Sequence, residues 1–418
     1  MIRILHTADW HLGQTFFGYD RTAEHQHFLD WLCDRVKALE IDALIVAGDL
    51  FDVANPSSLS QRMFYRFIRR VTLENPRLQI VVVAGNHDSA GRLEAPQPLL
   101  EEINMTVKGS VKKRDGMIDY DDLIVELRNA SGEVEALCLA VPFLRQGDYP
   151  TVDAACGNPY TEGVKELYKQ LTQHALLRKE PGQALVAVGH LQATGSEIAG
   201  KDHSERTIIG GLEAVSPEAF SSDIVYTALG HIHKSQRVSG REDVRYAGSP
   251  LSMSFAEKHY KHGVVLVTLD KGGLCSIEKI EYTPLVPLLS IPNGAPEPPE
   301  RVLELIEQLP ERTDDCDAPY LELNVLFTEP DPMFPRLVRD ALAEKQVRLG
   351  RIVPSYLRGD ELSAEEEILT VGLQEMDPLQ IMKKTFEKTY GNELPEELLQ
   401  LFQEARRSLL NEKEQNTI

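Results

Sequence analysis

Five apolar runs, each followed at once by side chains able to bind a cation, constrain this chain more than any other feature. Ile-Leu-His-Thr-Ala leads into Asp9-Trp10-His11, Leu-Ile-Val-Ala into Gly48-Asp49, Val-Val-Val-Ala into Gly85-Asn86-His87-Asp88, Val-Ala-Val into Gly189-His190, and Tyr-Thr-Ala-Leu into Gly230-His231-Ile232-His233. Runs this short and this apolar predict fully buried strands, over 2–5, 43–46, 80–83, 184–188 and 224–228. Amphipathic stretches lie between them. Phe28–Leu39 carries Phe28, Leu29, Leu32, Val36 and Leu39 at helical spacing, and Ser60–Val71 is patterned alike. Two further strands, over 245–247 and 263–269, flank a Gly-Ser-Pro turn at Gly248–Pro250. Such alternation predicts layered α/β architecture, where groups beyond the carboxyl ends of neighbouring strands meet in one crevice. The glycines ahead of these groups let the backbone turn without a side chain in the way.

Once converged, Asp9, His11, Asp49, Asn86, His190, His231 and His233 offer two carboxylates, one amide and four imidazoles. That mixture suits a pair of first-row divalent cations; manganese, iron or zinc are admissible, and magnesium alone fits poorly with so many imidazoles. Seven ligands suffice for two metals about 3.5–4 Å apart with one carboxylate bridging, and Asp49, on the middle turn of the early strands, is the candidate bridge. Two such metals polarise a phosphoryl group and lower the pKa of a bound water. His87, beside Asn86 and backed by Asp88, is the candidate general acid that protonates the leaving oxygen. Asp52, in Gly-Asp-Leu-Phe-Asp, is either an outer support of the site or a turn carboxylate. Singly, each of these residues has a plainer reading as a hydrogen-bonded histidine or turn acid. Their recurrence after every apolar run argues for the joint one. Arg62, Arg66, Arg69 and Arg70, and the cluster Lys112-Lys113-Arg114, read first as a solvated helix face and a loop, and only second as phosphate contacts.

Composition narrows the class. With 42% hydrophobic and 26% charged residues over 418 positions, the chain is globular and long enough for two to three domains. Five cysteines with no C-x-x-C spacing argue against a disulfide framework or a thiolate zinc site. The amino terminus reaches Asp9 within too few residues for a signal peptide's apolar core, and no run of about 20 apolar residues follows, so a cytoplasmic protein is expected. A net charge of −21 should repel nucleic acid and anionic membranes, so a polyanionic substrate needs local help.

Six prolines between Pro284 and Pro299 predict a stiff, extended connector and a first boundary. Beyond it, a helix over 300–309, a strand over 320–327, a helix over 332–344 and a strand over 347–356 suggest a small α/β module. The stretch from Asp360 to Ile418 has 14 acids and 6 bases and predicts two amphipathic helices, over 378–390 and 395–410.

The motifs Asp9-x-His11, Gly48-Asp49, Gly85-Asn86-His87-Asp88, Gly189-His190 and Gly230-His231-x-His233 resemble those of calcineurin-like metallophosphoesterases. The fuller strings at His6–Gly13, Val46–Asp52, Ala84–Ser89, Ala228–His233 and Tyr246–Pro250 are similar to the DNA-repair nuclease subunits of that superfamily. The resemblance implies a four-layer α/β/β/α sandwich over 1–285, a small α/β capping domain over 286–359 that presents DNA, and a helical partner-binding region over 360–418. It implies two Mn²⁺ ions, one held by Asp9, His11 and His233, the other by Asn86, His190 and His231, with Asp49 between them and His87 catalytic. It further implies 3′-to-5′ exonuclease action on duplex ends, endonuclease action on single strands and hairpins, and an ATPase partner of the ABC and SMC type bound by the carboxyl-terminal helices. A homodimer within a heterotetramer follows from the same likeness, with the Ser60–Val71 segment as its possible sequence correlate. Two rivals stand beside this reading: a small-molecule or phosphoprotein phosphoesterase with the same dinuclear site, and a scaffold for the ATPase with structural metals. The charge is then eased by two ions adding +4 at the site and by a tail carrying −8 toward a protein partner.

Overall fold

The apolar runs become the middle strands of two sheets. A computed structural model describes residues 1–152, 158–197, 214–312 and 318–356. The first sheet is built from β1 (Ile2–Thr7), β2 (Ala43–Ala47), β3 (Gln79–Val83) and β4 (Met105–Lys108), parallel to one another, with helices α1 (Thr22–Ala38) and α2 (Ser58–Glu74) as crossovers. The second sheet contains β5 (Ile124–Arg128), β6 (Val134–Ala140), β7 (Ala184–His190), β8 (Tyr226–Gly230), β9 (Gln236–Val238) and β10 (Arg241–Tyr246), with α3 (Pro159–Arg178) between β6 and β7. Strands β11 (Gly263–Asp270) and β12 (Gly273–Glu281) then return to the first sheet, antiparallel beside β1. The spatial orders are β12-β11-β1-β2-β3-β4 and β9-β10-β8-β7-β6-β5.

Side-chain alternation along each strand divides the core into layers. On β2, Leu44 and Val46 meet Phe28, Leu32, Phe64 and Phe67 of the helices, while Ala43, Ile45 and Ala47 face the second sheet. From the other side Ala136, Cys138, Ala140, Ala184, Val186, Val188 and Ala228 complete that inner layer, and Leu137, Leu139 and Leu185 pack outward against Leu167, Tyr168 and Leu171 of α3. Small residues between the sheets let them approach closely. The layers therefore run helix, sheet, sheet, helix, the four-layer α/β/β/α arrangement.

A third sheet follows, three parallel strands: β13 (Leu288–Ile291), β14 (Tyr320–Phe327) and β15 (Arg348–Tyr356), covered by α4 (Pro299–Glu307) and α5 (Phe334–Leu342). The proline-rich stretch does more than serve as the stiff, extended connector that its composition predicts. Between Pro287 and Pro292 lie four residues that keep their N–H groups, and these pair with β14 as an edge strand, the one place in a sheet where flanking prolines are tolerated. This module docks on the sandwich through Tyr320, whose ring packs on Phe16 and Tyr19 and whose hydroxyl donates to Glu24 at 2.7 Å. Glu24 is also held by Arg21 through two hydrogen bonds, so this contact is a buried, fully paired network. The two helices expected within 360–418 lie outside the described residues. Among the described residues, no helix is long and apolar enough to cross a membrane.

Candidate metal centre

Every candidate ligand sits just past, or at, the carboxyl end of a strand: Asp9 and His11 after β1, Asp49 after β2, Asn86 after β3, His190 at the end of β7, His231 and His233 after β8. The loops are zipped together by backbone bonds, Asp9 N to Gly48 O and His11 N to Asp49 O, both 3.0 Å. Asp9, His11, Asp49 and His231 all adopt positive φ, at 54°, 45°, 49° and 102°. That region carries a local cost for non-glycine residues, and here four of the seven inward-turning groups bear it. The neighbouring glycines are required by space. A Cβ on Gly48 would sit 2.1 Å from His190 Nδ1, one on Gly85 2.1 Å from Asp49 Oδ1, and one on Gly230 1.9 Å from the Ala47 carbonyl oxygen.

The side chains form two adjoining groups. Ligand atoms of Asp9, His11 and His233 lie within 4.8 Å of one another, as do those of Asp49, His190 and His231. Asn86 Oδ1 is 3.0 Å from both His190 Nε2 and His231 Nδ1, which adds it to the second group. Asp49 borders both groups, with Oδ2 3.3 Å from His190 Nε2 and 3.7 Å from His11 Nε2. His190 gives its Nδ1–H to the Ala47 carbonyl at 2.8 Å, which turns Nε2 toward Asp49. Burial alone would raise the Asp49 carboxyl, but the charge and hydrogen bond of His190 carry it below the usual carboxylate range. Burial opposes charge on His190 as well, and Asp49 overrides it, lifting the imidazole to about 9. Asp9 is pushed up, by burial first and against the pull of His190 and His233, while burial and then the charge of His190 press His231 down to about 3. Such strongly opposed neighbours are what a cation would neutralise. His11 adds a direct sign: it is buried, and neither ring nitrogen has a hydrogen-bond partner. The donor set, all oxygen and nitrogen, fits a dinuclear divalent metal site.

His87 stands at the rim, its ring centroid 4.9 Å from that of His11. Its partner differs from the one that adjacency suggests. Nδ1–H donates to the Asp52 carbonyl at 2.7 Å, whereas Asp88 turns the other way and accepts from the backbone N–H groups of Gly85, Phe51 and Leu50 at 2.9, 3.0 and 3.1 Å. Asp88 thus staples the loops after β2 and β3; burial, and then the charge of Asp49, hold its carboxyl above the usual range. The Asp52 carboxylate lies 3.3 Å from His11 Nδ1. One residue at the site carries no sequence signal: Glu257, fully buried behind His233. Arg70 spends its charge on Asp30, Asp34 and Glu74, and Lys112 and Arg114 pair with Asp122 and Asp119, so these basic residues are largely engaged on the surface.

Comparison with known proteins agrees with this fold. The calcineurin-like phosphoesterase model matches residues 2–235, and the model described as the type 5 capsule protein repressor C-terminal domain, SbcD_C, matches residues 284–390. The chain belongs to the calcineurin-like phosphoesterase family. It is 38% identical to the SbcD subunit of nuclease SbcCD from Rhodobacter capsulatus over 335 residues, covering 79% of this chain and 81% of that one. The corresponding protein of Escherichia coli is 36% identical over 69% of this chain and 70% of its own, and that of Bacillus subtilis 29% identical over 96% and 97%. Within its family the chain is a member of the SbcD nuclease subunits, metal-dependent phosphodiesterases.

Proposed function

We propose that Asp9, His11 and His233 hold one divalent cation and Asn86, His190 and His231 a second, with Asp49 between them, and that both ions are Mn²⁺. Bound there, the ions supply polarisation of a phosphate and a water activated near neutral pH. The protein's own part is to hold the donors and to move one proton. The Ala47 carbonyl fixes the His190 ring, and Asp9 is fixed by accepting the His231 N–H at 2.9 Å. His87 gives Nδ1–H to the Asp52 carbonyl, which leaves Nε2 to deliver a proton to the departing oxygen of a phosphodiester. The observation that carries this reading is the meeting of seven oxygen and nitrogen donors from two sheets, among them the buried His11, whose ring nitrogens have no hydrogen-bond partner.

The substrate is DNA, cut 3′-to-5′ from duplex ends and internally in single strands and hairpins, and the work is done in the cytoplasm beside an SbcC-type ABC/SMC-like ATPase. Likeness to the SbcD subunit of nuclease SbcCD over most of the chain supports this assignment. Residues 1–285 form the nuclease domain, 286–359 present DNA, and 360–418 bind the ATPase. A homodimer within a heterotetramer uses the exposed side of α2. The apolar face of Ser60–Val71 is spent on its own sheet, but Tyr65, Leu73 and Leu99 line an open groove on the other side. Cleavage of end-labelled duplex and hairpin DNA with Mn²⁺, with and without the ATPase, tests the assignment alongside a nitrophenyl phosphodiester. Hydrolysis of the small ester with DNA untouched, even with the ATPase present, would overturn the DNA assignment and leave a small-molecule phosphoesterase.

A further inference from the structure

We propose that Glu257 is a positioning residue, which holds the His233 ring for the cation shared with Asp9 and His11 and ties that cation position to the third module. The inference rests on the metal reading above. Glu257 has no solvent exposure. A carboxylate so placed costs several kcal/mol unless it is paired, so its partners define its role. One oxygen lies 3.2 Å from His233 Nδ1, and the other accepts the Met253 N–H at 2.8 Å. A histidine that ligates through one nitrogen donates its other N–H to an outer acceptor, which fixes both tautomer and ring plane. With Nδ1–H given to Glu257, Nε2 is the nitrogen that would hold the cation.

The acceptor differs from those behind two of the neighbouring histidines. His190 and His87 use neutral carbonyls, of Ala47 and Asp52. A carboxylate in the same place makes the imidazole a more basic donor and binds the cation more tightly through it. Glu257 is itself held by a single helical turn, Phe255–Glu257, and this turn is gripped from the third module. The Phe255 ring lies under the Arg351 guanidinium at 5.5 Å, and Lys258 Nζ donates to Ser290 Oγ at 2.9 Å, while Phe16 of the sandwich packs on the same ring at 5.3 Å. Arg351 and Ser290 both bond Glu322, so one polar network inside the module anchors the turn that orients His233.

The test is calorimetric titration of metal-free, full-length chain with Mn²⁺, comparing wild type, Glu257→Gln, His233→Ala and the double variant. Glutamine keeps the shape and the acceptor for Met253 N–H, so the Glu257→Gln protein is expected to fold, checked by its circular dichroism spectrum. The expected result is two ions in wild type, and in Glu257→Gln one of the two weakened about ten- to a hundred-fold with the other unchanged. In the His233→Ala background the second substitution should add nothing, which a merely structural role for Glu257 would not produce. Wild-type affinity for both ions in folded Glu257→Gln would overturn the proposal, as would an equal loss in the His233→Ala background. A wild-type chain that takes up fewer than two ions would instead overturn the metal assignment, and this proposal with it.

Discussion

Asp88 offers the sharpest check on how the site is built, because its two oxygens carry three buried backbone N–H groups. Gly85 and Leu50 donate to Oδ2, and Phe51 donates to Oδ1. In Asp88→Ala all three donors lose their acceptor inside a side-chain position only 2% exposed. Each buried donor left alone costs about 1–3 kcal/mol, so the sum is about 3–9 kcal/mol before the loops relax. Total stability for a domain is about 5–15 kcal/mol, so this change should remove a large share of it. Asp88→Asn is graded differently. The amide oxygen can serve Gly85 and Leu50, but its NH₂ then faces the Phe51 N–H, so one donor is stranded and about 1–3 kcal/mol is lost. Urea unfolding followed by circular dichroism, with chelator present so that cation binding does not contribute, measures both. The expected order is wild type, then Asn, then Ala. An Ala variant within about 1 kcal/mol of wild type would refute the stapling role.

Three further outcomes follow from the geometry. Gly230→Ala should destroy cation uptake, since its Cβ would lie 1.9 Å from the Ala47 carbonyl oxygen and 2.9 Å from His190 Nδ1, whereas Gly91→Ala, facing open space, should leave metal content and melting temperature unchanged. His87→Ala should keep two ions by elemental analysis while cleavage falls about 10²–10⁴-fold; loss of an ion would move His87 from proton donor to ligand. His6 is buried, with Nδ1 2.9 Å from the Tyr226 hydroxyl, and burial lowers its pKa to about 3. Between pH 6.5 and 3 the unfolded chain takes up a proton there that the folded chain refuses, so stability falls as pH falls, by about 1.4 kcal/mol per unit. Urea titrations at pH 7 and pH 5 should show wild type losing about 2 kcal/mol more than His6→Gln, and equal losses would count against a neutral buried His6.

The ligand-bearing strands were legible because parallel strands buried on both faces read as unbroken apolar runs. Two edge strands gave no such signal. On β12, Gly273–Glu281, most side chains are exposed or half-buried, and polar residues interrupt the pattern. β13 was masked by the prolines at its two ends, which composition reads as a linker. Within the site, adjacency misled at Asp88, because His87 and Asp88 leave the loop in opposite directions, one to the Asp52 carbonyl and one to the strand ends. Glu257 lies 24 residues beyond His233 on a separate turn, so no periodicity joins them. The convergence itself was readable; the supports behind it depend on contacts between loops, which spacing does not encode.

The division of the donors between sheets has a thermodynamic consequence. Asp9, His11, Asp49 and Asn86 follow strands of the first sheet, while His190, His231 and His233 belong to the second. On the proposed assignment neither sheet owns a complete set for either cation, so cation binding would be linked to the docking of one half of the sandwich on the other. Bound as proposed, the ions would act as a clasp. A bulky substitution in the alanine-rich layer between the sheets, such as Ala184→Leu at the far end of β7 from His190, would register in a titration as weakened cation affinity, and excess cation would recover the lost stability. Metal content thereby reports on the fit of two surfaces that never touch the metal.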